Sequence, residues 1–243
     1  MQNNVICMKW GNKFSSEYVN RLYRMVQKNL SIKHRFVCFT DDPVGICAEV
    51  DIHPLPQSIS LSANAPERGW RKLSMFAEKI DDLDGTGLFL DLDIVIRSSI
   101  DCFFGTDHDF QIIKDWDFPH DIIGNSSVFK FKIGQHPYVL NDFINNFTKI
   151  ANTYRNEQAY LSYKMMEHGE LHYWPNKWCV SFKRNCLKPW PLCYFNMAND
   201  PFESKIIVFH GKPTPQQAYA GYVGKCGFRY IKPTKWLDKY WNV

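Results

Sequence analysis

The chain has no long hydrophobic run. Its longest apolar stretches are strand-sized and broken by charge, so none reads as a membrane span. The start, MQNNVICMKW, lacks the basic-then-apolar layout of a secretory leader, which makes the cytoplasm the default expectation. There is no Cys-x-x-Cys pair. Eight cysteines are scattered over 243 residues, and without a secretory layout they read as reduced thiols rather than a disulfide framework. Cys179, Cys186 and Cys193 recur every seven residues with His172 nearby, but they lack the close pairing of a structural zinc site, so ordinary thiols are the better reading. A strong charge of one sign is also missing. The net charge of +4 is too mild for a general nucleic-acid binder, no zinc-finger or RNA-recognition signature is present, and nucleic acid is not an expected partner. No repeat, low-complexity tract or flexible linker interrupts the chain, so one domain over residues 1–243 is expected.

What is present fits a folded protein with an ample core: 45% hydrophobic residues, 16% aromatic and only 22% charged. The charge is unevenly spread. From Cys179 onward ten Lys or Arg residues face three acids, Asp200, Glu203 and Asp238. Such a basic part can meet a phosphate-bearing ligand or an anionic membrane face, or be an ordinary solvated surface.

Periodicity supplies the architecture. VICMK reads as a strand, a helix from Ser15 or Ser16 carries Val19, Leu22, Tyr23, Val26 and Leu30 on one face, and RFVCFTDD reads as a second strand ending in two acids. After a Pro-containing connector, Pro66 can open a helix lined by Trp70, Leu73, Phe76, Ala77, Ile80 and Leu83. Asp84-Gly85-Thr86-Gly87 breaks it, and LFLDLDIVI follows as a strand. The order predicts an open α/β sheet, Rossmann-like and mostly parallel, with ligands at the strands' C-terminal ends. Further on, FQIIK and SSVFKFK read as strands, Val139 to Ile150 and Glu157 to His168 as helices, and IIVFH as a strand within an irregular C-terminal part.

Two carboxylates, Asp91 and Asp93, sit in the most apolar stretch of the chain. Alternate residues of a strand share a face, about 7 Å apart, so both would point the same way. That arrangement suits a hard divalent cation with positions left for substrate phosphates. Two chemistries share this look. A haloacid-dehalogenase-like phosphatase would use the first acid as nucleophile and the second as general acid, and needs more acids on a later strand end; no adjacent acidic pair follows an apolar run downstream. A metal-dependent nucleotide-sugar glycosyltransferase would use the metal to neutralise a leaving diphosphate. A non-catalytic glycan-binding module is a third reading.

Further segments favour the transferase. In order, CMKWGNKFS, FTDD, GWRKLSMF before LFLDLDIVI, GNSSVFKF, NEQAYL and FHGKPTP resemble the GT-A-type glycosyltransferases of family 8, the glycogenin and lipopolysaccharide galactosyltransferase group. The resemblance implies Mn²⁺ or Mg²⁺ on Asp91, Asp93 and His210, with Lys212 on the diphosphate in a compressed His210-Gly211-Lys212-Pro213. It implies a nucleotide-binding part over residues 1–100 and an acceptor and C-terminal part over 101–243. It also implies the loop Lys9 to Ser15 with Asp41 and Asp42 at the base and ribose, and nucleotide contacts from Lys9, Trp10, Asn12, Asp41, Asp42, Leu92 and Gly211. Lys72 would contact the donor and the first metal-site acid, with Arg71 beside it on the sugar. Asn125 and Ser126 would read sugar hydroxyls, although Ser127 stands where the family has Gly. Glu157 and Gln158 would lie at the anomeric carbon. The expectation is transfer of a hexose from UDP-glucose or UDP-galactose, with retention, to a glycan, lipid-linked or small hydroxyl acceptor. Trp174, Trp178, Trp190, Trp236, Tyr240 and Trp241 can stack on sugars, but aromatics at this density are more often packing.

Overall fold

The computed structural model describes residues 2–59, 68–224 and 230–242. Strands β1 (Asn3–Lys9), β2 (Arg35–Thr40) and β3 (Asp51–Pro54) run parallel, with helix α1 (Ser16–Asn29) crossing between the first two. Strand β4 (Thr86–Leu90) adds parallel to the other side of β1. The chain then makes a three-residue strand β5 (Ile94–Ile96), followed by β6 (Gln111–Lys114) and β7 (Gly124–Lys132). The last two complete a six-stranded sheet of order β3-β2-β1-β4-β7-β6, in which β7 is antiparallel to both of its neighbours. Helices α2 (Pro137–Asn145), α3 (Phe147–Thr153) and α4 (Glu157–Glu167) follow. Strands β8 (Cys179–Ser181) and β9 (Ile206–Val208) join β5 in a second sheet of order β5-β9-β8. Helix α5 (Pro215–Ala220), the strand pair β10 (Tyr222–Val223) and β11 (Tyr230–Ile231), and helix α6 (Asp238–Trp241) end the chain.

Both faces of the large sheet are covered, and the alternation of the strands shows why. Val5, Cys7, Leu88 and Leu90 point into a core with Val19, Leu22, Met25 and Val26 of α1. The intervening Ile6, Met8 and Phe89 point into a second core with Trp70, Phe76, Phe129 and Phe143. There Phe129 stacks on Phe89 at 4.9 Å and on Phe76 at 5.8 Å. Strands buried on both sides read as continuous apolar runs, which is how they were recognisable in the sequence.

Four expectations change. Pro66 lies outside the described residues, and the segment after it is a 3-10 helix, Trp70–Phe76, that stops at an extended Ala77. Trp70, Leu73 and Phe76 are spaced by three, which eclipses on a 3-10 helix as well as fitting an α-helix, so the spacing did not discriminate. Ile80 and Leu83 instead bridge each other beyond it. The helix expected from Val139 to Ile150 divides at Asn146, whose amide donates to Asp142 Oδ1 at 2.8 Å. β3, read as connector, is a short edge strand ending in Pro54, a residue that sheets confine mostly to edge strands. Lastly, LFLDLDIVI is two strands in two sheets: β4 stops at Leu90 beside β1 and β7, and β5 starts at Ile94 beside β9.

Candidate active site

Asp91 and Asp93 therefore occupy the crossing between the two sheets rather than one face of a regular strand. The crossing is held from both sides. Asp91 N–H donates to Ser127 O of β7 at 2.9 Å, and Phe209 N–H, just past β9, donates to Asp93 O at 3.1 Å. β4 lies inside the large sheet with its C-terminal end at the carboxylates, the edge where an open α/β sheet binds ligands.

Behind the carboxylates lies a buried polar network. Lys72 Nζ meets both oxygens of Asp91, at 2.7 and 2.8 Å, and lies 3.8 Å from Glu157 Oε1. It also donates to Ser126 Oγ at 3.3 Å, and that hydroxyl donates to Glu157. Burial works against the charged form of Lys72, but Asp91 and Glu157 outweigh it and raise its pKa. Burial pushes Glu157 up against the opposing pull of Lys72 and the Ser126 hydrogen bond. Asp93, 7% exposed, is pushed up to about 7, first by burial and then by the Asp91 carboxylate. A pair of carboxylates in this state favours a cation between them.

The carboxylates open on a cavity of about 450 Å³. Its walls come from the loop after β1 (Trp10 to Phe14), from Arg68, Gly69 and Lys72, from Asp91 to Asp93, and from Glu157 at the N-terminus of α4. Gly69 is in the left-handed region, φ 81°, and a Cβ there would stand 2.5 Å from Glu157 Oε2, so the wall is closed by a residue that must lack a side chain.

Of the residues expected to form the site, the structure brings together Trp10, Asn12, Lys72, Asp91, Leu92, Asp93 and Glu157 in this cavity. Others stand one step back. Lys9 Nζ donates to Asp42 O at 3.0 Å, and Asp41 Oδ2 accepts from Gly11 N–H at 2.9 Å, so Lys9, Asp41 and Asp42 hold the loop rather than line the cavity. Ser126 is buried behind Lys72, and Asn125 Oδ1 accepts from Ser127 N–H at 3.1 Å. Arg71 is half-buried and its carbonyl accepts from Ser74 Oγ at 2.7 Å, while Arg68 takes the lining position. Gln158 turns to Asp115, donating to Oδ2 at 2.9 Å.

His210 follows Phe209, so its backbone reaches the carboxylate crossing, but its imidazole lies elsewhere. Nε2 is 2.7 Å from Ser181 Oγ, and the ring stacks on Trp116 with centroids 5.6 Å apart. Burial lowers its pKa, with Lys183 adding to the effect. His210 and Lys212 line a second cavity, of about 680 Å³, and Gly211 turns between them at φ 81°. Among the described residues the three-ligand grouping within 4.8 Å is His53, Asp81 and Asp82, not Asp91, Asp93 and His210. In that grouping the two imidazole nitrogens face Asp51 and Asp81 while Asp82 pairs with Arg35.

Lys13 and Phe14 belong to the loop expected to line the nucleotide pocket, whereas sequence reasoning missed Arg68 and Ser181. It also passed over Asp115, which had a signal: it follows the apolar QIIK as Asp91 follows LFL. Asp115 and Asp117 are the later acids that a phosphatase would need, but Asp115 binds Gln158, Asp117 pairs with Arg184 at 2.6 Å, and neither lines the carboxylate cavity. Cys179 and Cys186 are buried thiols, with Cys186 pushed up to about 12 by burial. No helix among the described residues is long and apolar enough to cross a membrane.

No family model and no curated protein matches the sequence. Solved structures do. The galactosyltransferase LgtC, in complex with donor and acceptor sugar analogues, superposes over 97% of this chain and 94% of its own, with 13% identity and a TM-score of 0.61. An active-site mutant of LgtC gives the same coverage and identity and a TM-score of 0.62. The glycosyltransferase GlyE of Streptococcus pneumoniae TIGR4 aligns over 88% of this chain and 56% of its own, with 9% identity and a TM-score of 0.61. The chain thus has the GT-A-like α/β fold of these glycosyltransferases.

Proposed function

We propose that the protein is a metal-dependent glycosyltransferase that moves a hexose from a UDP-sugar, UDP-glucose or UDP-galactose, to a hydroxyl acceptor with retention. The observation that carries this reading is the Asp91–Asp93 crossing, which faces a nucleotide-sized cavity at the C-terminal edge of the sheet, within a fold shared with glycosyltransferases. Asp91 and Asp93 fit a hard divalent cation such as Mn²⁺ or Mg²⁺, because buried Asp93 and half-buried Asp91 repel each other and supply oxygen ligands, and Lys72 pairs with only Asp91 of the two. When bound, the ion supplies electrostatic stabilisation of the departing diphosphate. His210 would be the third ligand on this reading.

The chain's own residues supply the rest. Lys72 fixes Asp91 through both oxygens and, being buried, keeps that geometry without solvent competition. Trp10 and Asn12 hold the nucleotide against Leu92, with Lys9, Asp41 and Asp42 fixing their loop. Glu157 closes the cavity near the sugar, and Gln158 with Asp115 positions the start of α4. Lys212 meets the diphosphate as it leaves.

Calorimetric titration with UDP, with and without Mn²⁺, tests the reading. UDP should bind when Mn²⁺ is present, and Asp91→Asn combined with Asp93→Asn should abolish that binding. Metal-independent UDP binding, or full sugar transfer and donor hydrolysis by the double variant, would overturn it. Phosphate release from simple monoesters with a covalent adduct on Asp91 would point to the phosphatase instead.

A further inference from the structure

We propose that the second cavity, beyond His210 and Lys212, receives the acceptor, and that the acceptor is an anionic sugar carrying a phosphate or carboxylate group. This rests on the glycosyltransferase reading and adds to it the substrate's chemical class. The cavity, about 680 Å³, has room for a mono- or disaccharide. Its lining includes His210, next to Phe209, whose N–H donates to Asp93 O at the carboxylate crossing.

Its charge is one-sided. Lys183, Arg184, Lys188 and Lys212 line it against one carboxylate, Asp117, and that carboxylate is already paired with Arg184 at 2.6 Å. Lys183 donates to the His210 carbonyl, which directs its charge at the inner wall. Among the described residues Lys188 has no carboxylate partner, and Lys212 is the cation already assigned to the leaving diphosphate. The first cavity, by contrast, sets Lys13, Lys72 and Arg68 against Asp91, Asp93 and Glu157. A concave surface with surplus positive charge concentrates anions and pairs with phosphate or carboxylate oxygens.

The aromatic lining suits a sugar ring. Of the six aromatics that could stack on sugars, Trp174, Tyr240 and Trp241 are buried and Trp178 and Trp236 half-buried, whereas Trp190 is 67% exposed at the cavity's edge. Tyr230, stacked on Tyr194 at 5.9 Å, and Tyr222 form the opposite lining. Their faces can carry the ring while the cations hold its charged substituent.

The test needs no donor at its first stage. Wild-type protein is titrated at low and high salt with glucose 6-phosphate, glucuronate and glucose, and against vesicles of phosphatidylglycerol and of phosphatidylcholine. The two anionic sugars should bind at least about tenfold more tightly than glucose, with the advantage shrinking as salt rises. Lys188→Glu should weaken them by about fivefold or more and leave glucose unchanged, and appear in transfer assays as a raised KM. Titration of the variant with UDP and Mn²⁺ reports whether its fold survives. Equal affinity for glucose and the anionic sugars, or unchanged affinity in Lys188→Glu, overturns the proposal. Binding to phosphatidylglycerol vesicles without preference among the soluble sugars also overturns it and assigns the charge to a lipid surface. Failure of UDP to bind would sink the transferase reading alone, because the sugar titration still decides whether the cavity holds anionic sugars.

Discussion

Removing the charge of Lys72 is the most informative single perturbation of this molecule. Lys72→Met keeps much of the side chain's bulk but takes away the cation between Asp91, at 2.7 Å, and Glu157, at 3.8 Å. Both Lys72 and Glu157 are buried, so the remaining charges gain little from water. Removing one partner of a buried pair costs about 3–5 kcal/mol, and we expect a loss in that range near pH 8. The loss should depend on pH. Glu157 already has a raised pKa through burial, and Lys72 is the strongest influence holding it down. Without Lys72 it rises further. A carboxyl whose folded pKa exceeds its unfolded value contributes stability below the unfolded pKa and loses it as pH rises through the folded one, so the variant should recover part of its deficit near pH 5.5. Lower pH favours the neutral form of Glu157, which can still accept the Ser126 hydroxyl. Urea unfolding of wild type, Lys72→Met, Glu157→Gln and the double variant at both pH values measures this, with an expected coupling of about 1–3 kcal/mol near pH 8. Additive single effects, or a deficit below about 1 kcal/mol that ignores pH, would show that the network does not hold the site in this form.

Two other outcomes follow from the same geometry. Without metal, Asp93→Asn should be more stable than wild type above about pH 7, by about 1–3 kcal/mol, because the raised pKa of Asp93 makes its ionisation costly in the folded state. The difference should vanish below about pH 4 and reverse when Mn²⁺ is added; unfolding curves in chelator that are parallel at all pH values would refute this. Gly69→Ala should cost about 1–3 kcal/mol from its left-handed backbone and displace Glu157, whose carboxylate occupies the space of the new methyl group. An unchanged melting temperature would refute it.

Much of the large sheet was legible in the sequence for a local reason. A strand covered on both faces must be apolar at successive positions, and an α-helix on its surface must repeat its apolar residues every three or four. VICMK, RFVCFT, FQIIK and the stripe of Val19, Leu22 and Val26 carry those signals, and each lies in the element it predicted. Trp70, Leu73 and Phe76 did not reveal their helix type, because a spacing of three serves both kinds of helix. β3, with alternate residues half-buried and exposed at the sheet edge, carries almost no pattern.

The sequence by itself determined that two carboxylates sit in the most apolar stretch of an α/β chain, where each must be paired, at an exposed strand end or holding a cation. Only the tertiary structure decided that this stretch is divided between two sheets. Ile94 to Ile96 is as apolar as Thr86 to Leu90, and the change of partner depends on strands more than a hundred residues away at Ile206 to Val208. The same holds for Lys72 with Asp91, for Gln158 with Asp115 and for His210 with Ser181. Apolar periodicity records whether a position is buried, which is a property of one segment; it does not record which distant segment supplies the partner, and that pairing is what turns two aspartates into a site.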